Sequence, residues 1–317
     1  MSTTWTIRDF TAEDYRQVVE VYNIIVPDQP ATVEDFAEWD RQKSPKCKNR
    51  RWVAEINDRV VGYGHYLQYV SKYDPGTFYL FGGLREEARD LGIGTGLYDT
   101  VIAGLNEHNP KVLRTYSRED SPRSVDFLQK RGFLEYQRLG GSVLDVRTFD
   151  PTPYAGLESR LRDEGIEIKT MRELEGDPER DRKLYDLDWE VTRDEPSSGD
   201  DTRVDFETFL QKGLHAPWRL PDGYFIAVHG EEYVGVCLLD HLKADNSVKH
   251  GITGVKRAFR RRGVALAMKV RAVNYARQAG HKLIRTDNDT RNRPMLTVNQ
   301  RLGFKPEPEW IFFEKKL

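Results

Sequence analysis

The chain has 317 residues, 38% hydrophobic and 32% charged, and its 49 lysines and arginines nearly balance 51 aspartates and glutamates for a formal net charge of −2. That is the composition of a folded, water-soluble chain with length for two domains, and the balance argues against a nucleic-acid or anionic-membrane binder. Two distant cysteines, Cys47 and Cys237, exclude a disulfide framework and a CxxC metal site and fit a reducing cytoplasm.

The opening segment "MSTTWTIRDFTAEDY" lacks the basic and apolar regions of a signal peptide, and no apolar run approaches the ~20 residues that span a bilayer. The expectation is a cytoplasmic protein with no membrane, nucleic-acid or metal partner. Next, "RWVAEINDRVVGYGHYLQYV" reads as two strands around an Asn57-Asp58 turn, and "GTFYLFGGL" as a third strand ending at a loop. "GTGLYDTVIAGLNEH" has helical apolar spacing, and "KVLRTYS" is a short strand before a helix that ends near Gly132. In "DPTPYAGLESRLRDEG", Pro151 and Pro153 break regular structure ahead of a short charged helix. The order then recurs. "GYFIAVHGEEYVGVCLLDHL" gives two strands turning at Gly230, and "KHGITGV" a strand ending at a loop. "ALAMKVRAVNYARQAG" is a helix stopped by Gly280, and "KLIRTDN" a strand before a helix ending near Gly303.

The recurrence has a fixed register. "GGLREEARDLGIGTGLYDTV" (82–101) lies on "TGVKRAFRRRGVALAMKVRA" (253–272) without gaps, and at the same offset of 171 residues Gly132-Phe133 lies on Gly303-Phe304. The chain therefore reads as two copies of one α+β domain, 1–150 and 165–317, joined by a linker at 151–164. In each, a strand runs into an arginine-to-glycine loop and then a helix. Arginines at a helix N-terminus oppose its dipole. A bound anion on the free N–H groups of the first turn resolves the conflict, with the arginines as further donors. Neither a Walker loop nor a dinucleotide fingerprint is present.

Arg89-Asp90-Leu91-Gly92-Ile93-Gly94 and Arg260-Arg261-Arg262-Gly263-Val264-Ala265 resemble the [RQ]-x-x-G-x-[GA] pyrophosphate motif of the GNAT superfamily of acyl-CoA N-acyltransferases. The resemblance implies two tandem GNAT-like domains, each a mixed, mostly antiparallel sheet flanked by helices. It implies acetyl-CoA as acyl donor, a small-molecule primary amine as acceptor, and direct attack. The strand before the loop would splay from the next, and the Val255 N–H (Leu84 in the first copy) would act as oxyanion donor. The family's later helix carries Asn, Ala and Tyr eleven, eight and four residues before the glycine. Here the second copy has Asn292, Met295 and Asn299, and the first has Ser121, Ser124 and Leu128. The usual acid tyrosine is thus absent from both. Asn299 retains a polar group there and Leu128 does not, so the C-terminal copy is the expected catalytic one and the first is degenerate or binds cofactor without reacting.

Asn292 is a candidate for cofactor contact or for helix capping, and His250 for a general base or a structural histidine. The acidic stretch "YDLDWEVTRDEPSSGDD" (185–201) lies where the resemblance implies acceptor binding. Its carboxylates, Asp186, Asp188, Glu190, Asp194 and Glu195, either receive a cationic amine, with Trp189 packed on it, or form an ordinary acidic helix face. The competing class is a non-catalytic acyl-CoA-binding or scaffold protein, and either a monomer or a homodimer is compatible.

Overall fold

The computed structural model describes residues 4–196 and 202–317, so the end of the acidic stretch, from 197 to 201, lies outside the described residues. The chain divides into two compact units. Unit 1 comprises 1–138, 200–202 and 310–317; unit 2 comprises 139–199 and 203–309.

Unit 1 contains β1 (Thr6–Asp9), α1 (Tyr15–Ile25), α2 (Val33–Arg41), β2 (Asn49–Ile56), β3 (Arg59–Leu67), β4 (Thr77–Leu84), α3 (Ile93–Leu105), β5 (Val112–Arg118) and α4 (Pro122–Gln129). A long strand, β6 (Leu134–Asp145), leads out of it. The β2–β3 hairpin turns at Asn57 and Asp58, both with positive φ (49° and 60°), the backbone a two-residue hairpin loop favours. Thr32 and Asp35 exchange capping hydrogen bonds that start α2. On α3, Ile93, Leu97, Val101 and Leu105 recur every four residues and bury one stripe against the sheet. The opposite face packs on α1 and α2 through Val18, Val21, Phe36, Val53 and Tyr63.

Unit 2 repeats the plan after a short helix, α5 (Leu157–Asp163), that occupies the predicted linker. Its elements are β7 (Ile166–Thr170), α6 (Arg180–Thr192), α7 (Phe206–Phe209), β8 (Arg219–His229), β9 (Glu232–Leu242), β10 (Ser247–Val255), α8 (Val264–Gln278), β11 (Leu283–Asp289), α9 (Arg293–Arg301) and β12 (Lys305–Pro306). A last strand, β13 (Trp310–Lys316), ends the chain. Helix α8 covers one sheet face with Val264, Ala267, Met268, Ala272 and Val273. Helices α6 and α7 cover the other, with Leu184, Leu187, Val191 and Phe209.

The units do not follow the two sequence copies to their ends. Strand β13, from the second copy, pairs antiparallel with β5 of unit 1, Trp310 opposite Arg118 through Lys316 opposite Val112. Residues 139–145 of β6, from the first copy, pair antiparallel with β11 of unit 2. Each sheet thus takes a strand from the other copy.

Candidate active site

In each sheet one strand pair is parallel, and it opens almost at once. Strands β4 and β5 pair only from Thr77–Tyr79 to Val112–Arg114. Strands β10 and β11 pair only at Val248–Ile284 and Lys249–Arg285. Beyond those points the strands splay and expose backbone groups. Lys256 N–H donates to Val234 O across β9, so the N–H and C=O of the preceding Val255 point the other way, into the opening. The Val255 carbonyl accepts from Arg260 Nε at 2.8 Å. By the same alternation, with Arg85 N–H on Val61 O, Leu84 faces the opening of unit 1. The strand ends are pinned from behind. A Cβ on Gly254 would lie 2.5 Å from Val191 of α6, and one on Gly83 2.7 Å from Ile25 of α1.

The two arginine-to-glycine loops share one backbone. Asp90 and Arg261 both take positive φ (62° and 63°), as do Gly92 and Gly263 (80° and 92°). Gly92 and Gly263 cap α3 and α8 without a side-chain acceptor. The first intrahelical bonds run from Gly96 N–H to Gly92 O and from Ala267 N–H to Gly263 O. The preceding N–H groups at Ile93 and Gly94, and at Val264 and Ala265, are left to an anion. Each loop is braced by its own unit: Trp5 Nε1 donates to Leu91 O at 3.0 Å, and Arg160 Nη2 donates to Arg262 O at 2.9 Å.

The polar groups around the opening fall on two faces of unit 2. On the α8 side, β10 bulges between His250 and Thr253, against Leu239 and Cys237 of β9. The bulge turns both side chains toward Cys237. His250 Nδ1 lies 3.6 Å from Cys237 Sγ, and Thr253 Oγ1 donates to the same sulfur at 3.5 Å. His250 is 3% exposed and its Nε2 has no partner. Burial, then the Lys269 charge, holds it neutral, well below the usual histidine range. Asn299 is 2% exposed, and its amide is engaged on both sides. Lys269 Nζ donates to its Oδ1 at 2.8 Å, and its Nδ2 donates to Asn288 Oδ1 at 2.6 Å. This chain links α8, α9 and the splayed part of β11. Asn292 caps α9, its Oδ1 accepting from Met295 N–H at 3.4 Å.

Lys269 is 1% exposed, and burial lowers its ammonium to about 8. The unfolded chain holds that proton up to about pH 10.4, so the lysine costs stability below pH 8 and the cost fades as pH rises from 8 toward 10.4. Relative to Lys269→Met, the wild type should therefore gain stability between pH 7.5 and 9.5 in urea titrations. A difference that does not change with pH contradicts this placement.

On the α6 side, Asp240 alternates with Val236 and Leu238, which pack on α6. It stands opposite Arg219 and Lys249 in register. Arg219 pairs with Asp240 at 2.7 Å and Lys249 with Asp287 at 2.5 Å. A Cβ on Gly141 would lie 3.6 Å from Asp287 Oδ1 and 3.8 Å from Glu307 Oε2, so these carboxylates adjoin. Asp188, one helical turn after the buried Leu184, is half-buried and has no hydrogen-bond or ion-pair partner among the described residues. Burial raises its carboxyl to about 6 against the opposing pull of Arg219 and Arg203, and burial also raises Asp240.

The acidic residues singled out from sequence lie elsewhere on α6 and just past its end. Asp194 holds Arg257 Nε at 3.0 Å and Arg260 Nη2, and the hydrogen bonds from these arginines lower its carboxyl to about 2. Glu190 lies 3.3 Å from Lys256, and Arg193 sits 5.9 Å from the Trp189 ring. Glu195 follows one turn on, its N–H on Thr192 O at 3.0 Å. These groups neighbour the loop rather than the carboxylate row. Sequence reasoning passed over Lys269, Asp240 and Asp287, and named Asp188 only within its acidic run. The signal available for the first was a lysine inside an apolar helix stripe.

No helix among the described residues is long and apolar enough to cross a membrane. The comparison with curated proteins returns no match. Among solved structures, the chain is similar to a tandem GNAT protein from the clavulanic acid biosynthesis pathway, at 18% identity and a TM-score of 0.76 over 99% of this chain and 98% of that one. It is similar also to a GCN5-related N-acetyltransferase from Sphaerobacter thermophilus, at 17% identity and a TM-score of 0.73 over 98% of this chain and 95% of that one. The acetyltransferase (GNAT) family matches twice, at residues 15–133 and 182–304. With both matches spanning the splayed strands and anion loops, the chain belongs to that family as a tandem protein, and its activity class is acyl transfer.

Proposed function

We propose that unit 2 transfers the acetyl group of acetyl-CoA to the primary amine of a small cationic molecule by direct attack. The observation that carries this reading is the row Asp188, Asp240 and Asp287 on the α6 side of an opening that also presents the Val255 N–H. Arg262 to Ala265 hold the pyrophosphate through backbone N–H groups, and the pantetheine enters the splay. Asp240 and Asp287 are held by Arg219 and Lys249, so the Asp188 carboxylate beside them draws in the ammonium. Asp188, ionised above pH 6 and without a partner among the described residues, takes its proton. The amine lone pair then attacks the thioester carbon, and the Val255 N–H steadies the oxyanion. When the C–S bond breaks, the nitrogen gives up its second proton to the departing thiolate, whose charge the Lys269 ammonium behind Asn299 offsets until then.

The test is release of free thiol from acetyl-CoA when polyamines, aminoglycosides, amino acids and amino sugars are offered. Asp188→Asn should lower kcat by about 10²–10⁴ with CoA affinity unchanged, and the wild-type rate should fall as pH drops through about 6. A blank across the panel with tight CoA binding supports the second reading, a non-catalytic acyl-CoA-binding protein. One observation favours that reading: Asn299 replaces the family's tyrosine, and its amide is already bonded on both sides.

A further inference from the structure

Unit 1 has the same opening with different chemistry on its α1 side. Just past the last β4–β5 pair, Phe81 and Tyr116 face each other across the splay with ring centroids 5.0 Å apart. Tyr116 occupies the position that Asp287 holds in unit 2 at the repeat offset. His65 (5.3 Å) and Tyr69 (6.5 Å) lie against Phe81, and Trp310 (5.1 Å) lies against Tyr116. These rings do not form a closed core. Tyr69 is 41% exposed and Tyr116 half-buried, yet both phenols are raised by the protein around them. Solvent therefore reaches both rings where the strands part. Neither hydroxyl has a hydrogen-bond partner among the described residues.

Two buried polar groups lie beside these rings. His65 is 8% exposed, and neither ring nitrogen has a partner; burial keeps it neutral, so it offers an acceptor lone pair. Asp28 is buried beside the rings, accepting from Trp310 Nε1 at 2.8 Å. Its nearest cation, Arg118, 3.2 Å away, is also bound to Asp120 at 2.9 Å. Two carboxylates share one guanidinium, which leaves one negative charge. Aromatic faces, a residual negative charge and an acceptor nitrogen together select a cation that has an apolar body and keeps an N–H.

We propose that the aromatic chamber at the β4–β5 opening of unit 1, formed by His65, Tyr69, Phe81, Tyr116 and Trp310 over Asp28, binds a protonated amine carrying an aromatic or branched apolar group. This site selects a more apolar amine than the acidic row of unit 2, and binding there does not depend on acyl transfer. It gives the first copy a role that its Leu128 does not deny it.

Binding is read directly, without acyl-CoA, by calorimetry and by tryptophan fluorescence. The probes are phenethylamine, spermidine, tetramethylammonium and benzoate. Phenethylamine should bind best, with a fluorescence change that is lost in Trp310→Phe. Tyr69→Ala, at an exposed position where the fold is expected to persist, should weaken it about tenfold, the scale of a desolvated cation–π contact. His65→Leu should narrow its advantage over tetramethylammonium, which has no N–H. Asp287→Asn in unit 2 should leave its affinity unchanged. Preference for benzoate or spermidine, binding unaffected by Tyr69→Ala, or no binding of any probe at millimolar concentration overturns the proposal. Failed acyl transfer in unit 2 would leave these binding results as they are.

Discussion

A chain ending at Glu309 is expected to lose the fold of unit 1, although the missing residues belong to the second sequence copy. Strand β13 supplies seven register positions to β5. It also buries Ile311 and Phe313 in the core beneath α3, and Trp310 beside Asp28. Replacing a buried Phe by Ala costs about 3–5 kcal/mol, against a total stability of about 5–15 kcal/mol for a domain. Losing three large side chains together exceeds what unit 1 can hold, and it leaves β5 as a bare edge. Phe313→Ala is the milder version and should cost about 3–5 kcal/mol. Hydrogen exchange reads both, through protection of Leu113 and Thr115 on β5 and of Val53 and Ala54 on β2. Unchanged protection in the truncated chain means that β13 is not part of the unit 1 sheet.

Gly263→Asp should abolish CoA binding in unit 2. Gly263 has φ of 92°, in the region where an L side chain is strained. A Cβ there would lie 2.9 Å from Arg160 Nη2 and 3.2 Å from Leu157 Cδ1. Both are ends of flexible side chains, so the substitution can be housed, and its carboxylate then stands where the proposed pyrophosphate would sit. Gly263→Ala separates strain from charge: it carries the same φ penalty, about 1–2 kcal/mol, without the repulsion, and should bind CoA more weakly but measurably. Calorimetry on a protein with the unit 1 loop also blocked isolates the site. Equal affinities for the Asp and Ala variants mean that the loop does not hold the phosphates.

The local architecture was legible in the sequence because backbone geometry marks it. Asn57-Asp58 and Gly230 turn the hairpins, and Gly92 and Gly263 recur in register where a left-handed residue starts a helix. The strand exchange was not. "WIFFEKK" reads as a strand from its own composition, but nothing in it specifies the edge of β5 over that of β11. The α6 side of the opening was only half legible. Asp188 and Asp194 sit six residues apart on one acidic run. Helix phase places Asp188 over the sheet between Leu187 and Val191, and sends Asp194 past the helix end to Arg257 and Arg260. Choosing between them requires knowing how α6 lies on β8–β10. Lys269 was hidden for the same reason. A lysine on a helix reads as solvent-facing until the neighbouring Asn299 is seen to accept from it.

The most direct measurement is acetyl transfer from acetyl-CoA, to whichever amine the wild type accepts, by Gly92→Asp and Gly263→Asp variants made separately. The two substitutions are equivalent in backbone, since both glycines cap a helix at positive φ after the same loop. They differ in the room for a Cβ, 4.0 Å from Trp5 at Gly92 and 2.9 Å from the flexible end of Arg160 at Gly263, and in which opening lies beyond: the aromatic chamber with Leu128, or the acidic row with Lys269 and Asn299. Activity should survive Gly92→Asp, reduced at most by lost stability, and vanish with Gly263→Asp. Activity that vanishes with Gly92→Asp and survives Gly263→Asp would contradict the assignment of the chemistry to unit 2.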